Sequence, residues 1–341
     1  MSKIFESINP FAQINYVPES QELIDQAFRK ASHVKVNIPK KVPKIIKTKR
    51  KEVKKLRVIE QFLDSRLTSI VKQIPSIDYI HPFYSELADI LVGRNRFKKA
   101  LGSIYGTRKV VKRLIRNHIY KIKSAKEISE VINLSRAAYG RLNSTIHRIK
   151  DSLNLIREAR QKLRKLPSVD PKKLTIVIAG YPNVGKSSFV AHASTANPEI
   201  AEYPFTTQKV KIGHIQRGLT TFQIVDTPGL LDRPLSERNP IELQAITALN
   251  YLAHVILYMV DPSETCGYPL KEQLSLYGAL KEIFGELPFF CVINKMDLVE
   301  KSKLDALRDT FEDECFATNA LKGNGVNEAI ERIINASLLE N

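Results

Sequence analysis

The sequence predicts an α/β phosphate-loop domain, a mostly parallel sheet flanked by helices, preceded by an all-α basic helical bundle. Three observations predict it: a strand-loop-helix passage around Gly180–Ser188, an unequal division of charge between the two halves, and a helical apolar period over residues 1–165. The loop reads Gly-Tyr-Pro-Asn-Val-Gly-Lys-Ser-Ser and fits G-x-x-x-x-G-K-[ST]. Ahead of it, residues 174–179, Leu-Thr-Ile-Val-Ile-Ala, form the continuous apolar and β-branched run of a fully buried parallel strand. Lys186 to Ala196 behind it reads as a helix. An accidental glycine loop is the bland alternative, and strand, lysine and serine in register argue against it.

The 341 residues suffice for two domains, and 43% hydrophobic with 26% charged residues is a globular composition. The N-terminus has no apolar signal region and no run of 18 uncharged apolar residues occurs, so neither secretion nor membrane spanning is expected. Cys266, Cys291 and Cys315 are odd in number and widely spaced, which fits neither a zinc site nor a disulfide framework; a reduced intracellular compartment is expected. Net charge carries more information. Residues 1–170 hold 37 Lys and Arg against 15 Asp and Glu, +22, and residues 171–341 hold 16 against 21, −5, for +17 in all. A cationic surplus confined to the half without the phosphate loop points to a polyanionic partner, nucleic acid before anything else. A merely solubilising basic surface would not require the other half to be acidic.

The first predicted helix runs from Ser20, a candidate N-cap, to about Ala31. Ten of the eighteen positions from Lys40 to Arg57 are Lys or Arg against the single acid Glu52, a density that repels itself unless solvated or paired with phosphates. That run flows into a helix whose apolar period, Val53, Leu56, Phe62, Leu63, Leu67, Ile70 and Val71, ends at Pro75. A short helix near Phe83–Leu91 follows, then a basic helix with Val111, Leu114, Ile115, Ile119 and Ile122 on one face. His118 lies beside that stripe, where a lone histidine is more often packed than a ligand. From Ala125 to Leu166 one longer pattern continues, with Gly140 its weak point and basic residues outside. Residues 1–165 thus read as an antiparallel RNA-docking bundle with basic outer faces, and Leu-Pro-Ser-Val-Asp-Pro, 166–171, as the linker to a domain over 172–341. Without a zinc pattern or an RNA-recognition signature, such helices dock on phosphate backbone rather than read bases. An anionic membrane ranks lower, because the apolar faces are consumed by packing and tryptophan is absent.

In the second half, backbone N–H groups of Asn183, Val184, Gly185, Lys186, Ser187 and Ser188 would cradle phosphates, Lys186 reaching the β- and γ-phosphates and Ser187 offering a hydroxyl to Mg²⁺. A strand at Thr221–Val225 ends in Asp226-Thr227-Pro228-Gly229; Asp226 would hold Mg²⁺ through water and the Gly229 N–H would approach the γ-phosphate. Strands at Val255–Val260 and Phe289–Ile293 follow, the second delivering Asn294-Lys295-Met296-Asp297. A carboxylate at Asp297 accepts from the ring N–H and exocyclic amine of guanine, groups adenine does not present there, so the expected ligands are GTP and GDP. Asn319-Ala320-Leu321 occupies the place where GTPases usually carry Ser-Ala-Lys or Ser-Ala-Leu, with the Ala320 N–H facing the guanine carbonyl and Asn319 departing from the usual serine. Tyr203-Pro204-Phe205-Thr206-Thr207 is the expected first switch, Thr207 preferred over Thr206 as the Mg²⁺ and γ-phosphate sensor. Leu230 stands where many GTPases place the glutamine that orients water, so intrinsic hydrolysis is expected to be slow. Asn183 is the position at which potassium-using GTPases ligate K⁺; an asparagine bonded only within its loop is the equal alternative. Lys186, Thr207, Gly229 and Asn183 are the catalytic candidates.

The chain resembles the Nog GTPases, within the Obg-like group of translation-associated GTPases. The resemblance rests on Asn9-Pro10-Phe11, Tyr16-Val17-Pro18, Ser20 to Asp25, Ala179 to Phe189, Tyr203 to Thr207, Asp226 to Pro234, Glu237-Arg238-Asn239 and Asp261 to Gly267. It implies an N-terminal helical domain docking on ribosomal RNA, a GTPase domain with a six-stranded sheet, and a role in assembling the large ribosomal subunit. Its partners would be the large-subunit precursor and ribosomal proteins, without stable membrane association, the protein itself a monomer. Eukaryotic members continue into long C-terminal extensions, so a short archaeal-type cytoplasmic member is the expectation. The rival readings are a nucleotide-binding RNA scaffold with vestigial hydrolysis and a membrane-remodelling GTPase.

Overall fold

The computed structural model describes residues 9–37, 39, 41–201, 203 and 209–339. Six helices come first: α1 (Ser20–Ser32), α2 (Lys44–Lys72), α3 (Pro82–Val92), α4 (Arg94–Ser124), α5 (Ile128–His147) and α6 (Lys150–Leu163). Then follow β1 (Thr175–Ala179), α7 (Lys186–Ala193), three consecutive strands β2 (Glu199–Ala201), β3 (Val210–Arg217) and β4 (Thr220–Asp226), and α8 (Pro240–Leu249). The chain finishes with β5 (Val255–Val260), α9 (Leu270–Phe284), β6 (Phe289–Ile293), α10 (Lys301–Arg308), β7 (Glu314–Ala317) and α11 (Val326–Leu339). The expected class, an α/β phosphate-loop domain behind an all-α domain, is what forms.

Contacts divide the chain into two compact units, each assembled from more than one stretch of sequence. One unit comprises residues 13–76 and 92–164; the other holds the described residues up to Ala12, Ile77–Leu91 and those from Lys165 onward. The short helix α3 therefore packs with the sheet unit and not with the bundle. Tyr84 of α3 is the reason. Its hydroxyl lies 2.8 Å from the carbonyls of both Pro167 and Val169 and accepts the Val169 N–H at 3.1 Å. Asn9 adds a bond from its carboxamide to the Leu166 carbonyl at 2.9 Å. The expected linker over 166–171 is thus a built-in segment with Leu166 and Val169 buried.

In the helical unit α4 packs against α2, α5 and α6. Its buried stripe, Phe97, Ile104, Val111, Ile115 and Ile122, repeats at the three-to-four-residue spacing of one helix face. His118 lies in that stripe, buried, with Nδ1 2.9 Å from the Leu114 carbonyl, the packed residue expected. Two local expectations are corrected. The pattern from Ala125 to Leu166 is two helices, broken at Arg148–Ile149 rather than at Gly140, which sits inside α5 with open space around it. The apolar period survives the break, Ile146, Ile149 and Leu153 all being buried, so periodicity alone could not see it. Ser20 is not the N-cap of α1: Glu19 holds that place, and the Ser20 hydroxyl sits 3.3 Å from His147 Nδ1.

Among the described residues the sheet has seven strands in the order β2-β3-β4-β1-β5-β6-β7, where the resemblance implied six. The additional strand is the three-residue β2, an antiparallel edge on β3, too short to leave a sequence period. β3 and β4 are antiparallel; β4, β1, β5, β6 and β7 all run one way. β1, β5 and β6 are buried along their whole lengths, as central parallel strands must be. No helix among the described residues is long and apolar enough to cross a membrane.

Replacing Tyr84 by Phe keeps the ring and leaves the buried Val169 N–H without its acceptor, so unfolding stability should fall by about 1–3 kcal/mol. Circular dichroism is the readout, since the chain contains no tryptophan.

Candidate functional site

The five parallel strands put their carboxyl ends at one edge, where doubly wound sheets bind ligands. From β1 leaves the phosphate loop, from β4 the Asp226-Thr227-Pro228-Gly229 turn, from β5 Asp261 to Gly267, from β6 Asn294 to Asp297, and from β7 Thr318 to Leu321. Each sequence-predicted segment in the described residues lies there. Thr206 and Thr207 lie outside the described residues.

Two glycines of the phosphate loop are sterically required. Gly180 has φ +136° and a Cβ on it would strike the Met259 carbonyl oxygen; Gly185 has φ +113° and a Cβ there would strike the Asn294 carboxamide nitrogen. Asn183 is also left-handed, φ +62°, and its exposed carboxamide hydrogen-bonds no described residue, so the alternative of a bond within the loop is not what forms. Gly185 is the N-cap of α7 and offers no side chain, so the first-turn N–H groups around Lys186, Ser187 and Ser188 are uncapped by any side chain, the arrangement that favours an anion. Val184 is fully buried and its carbonyl is tied down.

Lys186 is buried and its ammonium donates to the carbonyls of Gly180 at 2.6 Å and Tyr181 at 2.7 Å, which aim it across the loop. Burial pushes that ammonium's pKa down, against Asp226 and Asp232, which favour the charge. Opposite, the Ser187 hydroxyl donates to Asp226 Oδ2 at 2.7 Å. Burial pushes the Asp226 carboxyl up, against Lys186 and Ser187. Asp226 Oδ1 and the Thr227 hydroxyl are buried without a hydrogen-bond partner among the described residues. A buried cation and a buried carboxylate, each disfavoured by burial, together with two orphaned oxygens, fit a site for a phosphate chain and a divalent cation. No three His, Cys, Asp or Glu among the described residues could hold a metal by themselves, so the cation would share Ser187, Asp226 and phosphate oxygens.

Asn294 ties the loops together. Its amide donates to the Val184 carbonyl at 2.7 Å, while Oδ1 accepts from the Thr318 hydroxyl at 3.0 Å and the Ala320 N–H at 2.8 Å. The Ala320 N–H, expected to face a base, is therefore directed at Asn294. Lys295, left-handed at φ +57°, donates to Asp261 at 2.6 Å and to the Thr265 hydroxyl at 2.8 Å. Burial pushes the Asp261 carboxyl up, but Lys295 and Ser263 outweigh it and hold the group below its ordinary value. Asp297 remains accessible, its nearest partner Lys322 at 3.5 Å, and Leu321 is exposed. Asn319, where a serine is usual, closes its own turn: Oδ1 accepts the Lys322 N–H at 3.1 Å and its N–H donates to the Asn324 carbonyl at 3.0 Å.

After β4, Gly229 has φ +81° and its N–H, expected to approach a γ-phosphate, donates to Asp232 Oδ2 at 2.7 Å. Arg238, its side chain fully buried, bonds Asp232 Oδ1 at 3.1 Å and the Gly229 carbonyl. Leu230 is fully buried and offers nothing to a water molecule. Asp232, Arg238, Asp261 and Thr318 are site residues that sequence reasoning did not assign. Asp261 had a readable signal, Ser263 and Thr265 at the spacing of a side-chain-closed turn. The Asp232–Arg238 pair, six apart in an irregular loop, falls in the segments that carry the family resemblance, but no spacing pattern there signals their contact.

Comparison with known proteins gives two family matches: the NOG1 N-terminal helical domain over residues 11–170, and nucleolar GTP-binding protein 1 (NOG1) over residues 240–297. An uncharacterized protein of Methanocaldococcus jannaschii is 38% identical over 297 residues, covering 87% of this chain and 83% of that one. Nucleolar GTP-binding protein 1 of Caenorhabditis elegans is 36% identical over 327 residues, covering 94% of this chain and 48% of that one. The chain spans about half the length of the curated nucleolar relatives it matches. A crystal structure of nucleolar GTP-binding protein 1 from Plasmodium falciparum, 35% identical, matches 51% of this chain and 91% of that one with a TM-score of 0.45.

Asn294→Ala strands the Val184 carbonyl, the Thr318 hydroxyl and the Ala320 N–H at once. Stability should fall by about 2–5 kcal/mol. In hydrogen-exchange measurements the Ala320 amide should exchange about tenfold faster or more.

Proposed function

The chain belongs to the nucleolar GTP-binding protein 1 (NOG1) family, and from that premise we propose that it is a GTP-switched factor in large ribosomal subunit assembly. In this reading it binds GTP and GDP with Mg²⁺, hydrolyses GTP slowly, and docks its basic helices on ribosomal RNA. The nucleotide state sets its affinity for the precursor particle, with ribosomal proteins as neighbours and cytoplasmic residence as a monomer. The observation that carries the nucleotide half is the single sheet edge holding the Lys186 loop, the Ser187–Asp226 pair and the Asn294–Asp297 turn.

Within that site Lys186 would neutralise the terminal phosphates and orient them against the loop N–H groups. Ser187 and Asp226, with Thr207, would hold Mg²⁺, which when bound offsets the charge between the β- and γ-phosphates. Asp297 would accept the two guanine N–H groups, and Asn294 keeps that turn in register with the phosphate loop. Water must then be positioned without a glutamine at Leu230, because a fully buried leucine offers no hydrogen bond. Asn183 presents an exposed carboxamide that hydrogen-bonds no described residue, which supports potassium as the missing positive charge.

The RNA half is supported by α4, which carries eleven Lys and Arg and no acid in 31 residues. Between α4 and α5 lies an open groove of about 910 Å³ lined by Arg113, Arg116, Lys121, Arg141 and Arg148. None of the five pairs with a carboxylate among the described residues, and Tyr120 beside them is 74% exposed, a ring available for stacking. Charge of one sign in a groove, with hydroxyls of Ser144 and Thr145 between, matches a phosphate backbone.

The whole proposal is tested by co-sedimentation of the tagged protein with large-subunit precursors under a triphosphate analogue and under GDP; equal association in both sinks the switch. The Arg113→Glu/Arg116→Glu/Arg141→Glu variant should bind ribosomal RNA far more weakly, with a salt slope shallower by about 0.9 for each phosphate no longer neutralised. A salt-independent wild type would remove RNA docking, and binding to anionic vesicles instead would favour a membrane. Purified protein should turn over GTP well below one per second, faster in potassium than in sodium, with Asn183→Ala erasing the difference. Equal rates in the two salts remove potassium.

A further inference from the structure

The turn between β4 and α8 is closed on itself by a buried ion pair. Gly229 N–H donates to Asp232 Oδ2 at 2.7 Å, and Arg238 clamps both ends of that bond, the Gly229 carbonyl through Nη1 and Asp232 Oδ1 through Nη2 at 3.1 Å. The clamp is anchored outside itself. Glu242 lies 3.8 Å from Arg238 and 2.8 Å from Arg233, and it is fixed by the capping box it forms with Asn239 at the start of α8. On the other side, the Leu231 carbonyl accepts the Gly180 N–H at 2.9 Å, which fixes the turn against the phosphate loop.

A backbone N–H has one hydrogen to give. On the proposed GTP reading the Gly229 N–H is the donor that meets the γ-phosphate, yet it is aimed at a carboxylate. Both acceptors are anions, so they compete for the donor and repel each other. We propose that Asp232, held by Arg238, competes with the terminal phosphate for the Gly229 amide and thereby sets the preference of the site between nucleoside diphosphate and nucleoside triphosphate. Asp232 and Arg238 are positioning residues: the pair closes when the phosphate chain ends at the β-phosphate and must open when a γ-phosphate claims the amide.

Two further observations place the Asp232 charge where the competition requires it. Asp232 is among the charges that favour the Lys186 ammonium and oppose the Asp226 carboxylate, so its charge reaches the groups on either side of a phosphate chain. Arg238 also keeps a donor in reserve, since its Nε is buried with no hydrogen-bond partner among the described residues. When the clamp opens, Arg238 can follow Asp232 without abandoning it. Burial pushes the guanidinium pKa down while the Asp232 hydrogen bond pushes it up, so the carboxylate offsets part of what burial costs that charge.

The test uses the full chain. Affinities for GDP and for a non-hydrolysable GTP analogue are measured in the wild type and in Asp232→Asn, which keeps the shape and removes the charge. The analogue-to-GDP affinity ratio should rise by about fivefold or more, with GDP affinity changed less than about twofold. An unchanged ratio overturns the inference, as does an equal loss of both affinities, which marks a merely structural residue. A second measurement needs no variant. With ¹⁵N-glycine labelling, the Gly229 amide resonance of the wild type should move between the GDP complex and the analogue complex, as its acceptor changes from the Asp232 carboxylate to a phosphate oxygen. An amide that behaves alike in the two complexes overturns the inference. If the wild type binds neither nucleotide, the GTP reading itself has failed; if it binds both and neither readout moves, only the competition has.

Discussion

The site depends on one buried carboxamide that three neighbours share. Asn294 donates to the phosphate loop at Val184 and accepts from Thr318 and Ala320, and Gly185 must lack a Cβ because that carboxamide lies where it would go. Three loops from three strands are thereby held at fixed spacing by a group that is 2% exposed. A neutral amide suits this place. It has donors and acceptors enough to satisfy all three neighbours, whereas a buried charge would bring a desolvation penalty with it. The charged residues of the same turn are kept off that junction: Lys295 is turned to Asp261, and Asp297 stays accessible.

The helical unit obeys the opposite rule, since its cations far outnumber its acids. α4 commits its apolar stripe to α2, α5 and α6, and its remaining faces carry cations that no acid of its own can answer. Two of its acids are paired within the unit. Glu52 takes Lys55 at 2.7 Å and the Tyr139 hydroxyl at 2.8 Å, and Asp64 takes Arg108 at 2.7 Å. The self-repulsion of such a surface lowers the stability of the bundle, and packing of the buried stripe offsets it.

The architecture and the order of loops were legible because each rests on a local pattern. A run such as Thr-Ile-Val-Ile-Ala leaves a sequence signature of burial, and Gly185-Lys186-Ser187 has a fixed spacing imposed by phosphate. What was not legible depends on long-range partners. Tyr84 moves α3 into the sheet unit through carbonyls at 167 and 169, more than eighty positions away. Nothing near Tyr84 encodes that. β2 is three residues long, shorter than any period can reveal, and the α5–α6 break keeps its apolar stripe in phase across Ile149. The directions of the Ala320 and Gly229 amides were also hidden, because a motif states which residues gather and not which acceptor each donor chooses.

Those two amides share a logic. Both belong to residues whose expected partner is a ligand, and both are given an internal acceptor, Asn294 for Ala320 and Asp232 for Gly229. The acceptors differ in charge, and the difference divides the loops by role. A neutral carboxamide oxygen with both lone pairs occupied is a fixed joint, satisfied whatever lies beside it. A carboxylate that needs a buried guanidinium to be tolerated is a conditional one, because any anion arriving nearby changes the balance that holds it. On the proposed reading, the turn that would read the base is joined to the phosphate loop by neutral hydrogen bonds, and the turn that would meet the terminal phosphate is closed by a paired charge, an arrangement that would keep hold of a nucleoside while registering how many phosphates follow it.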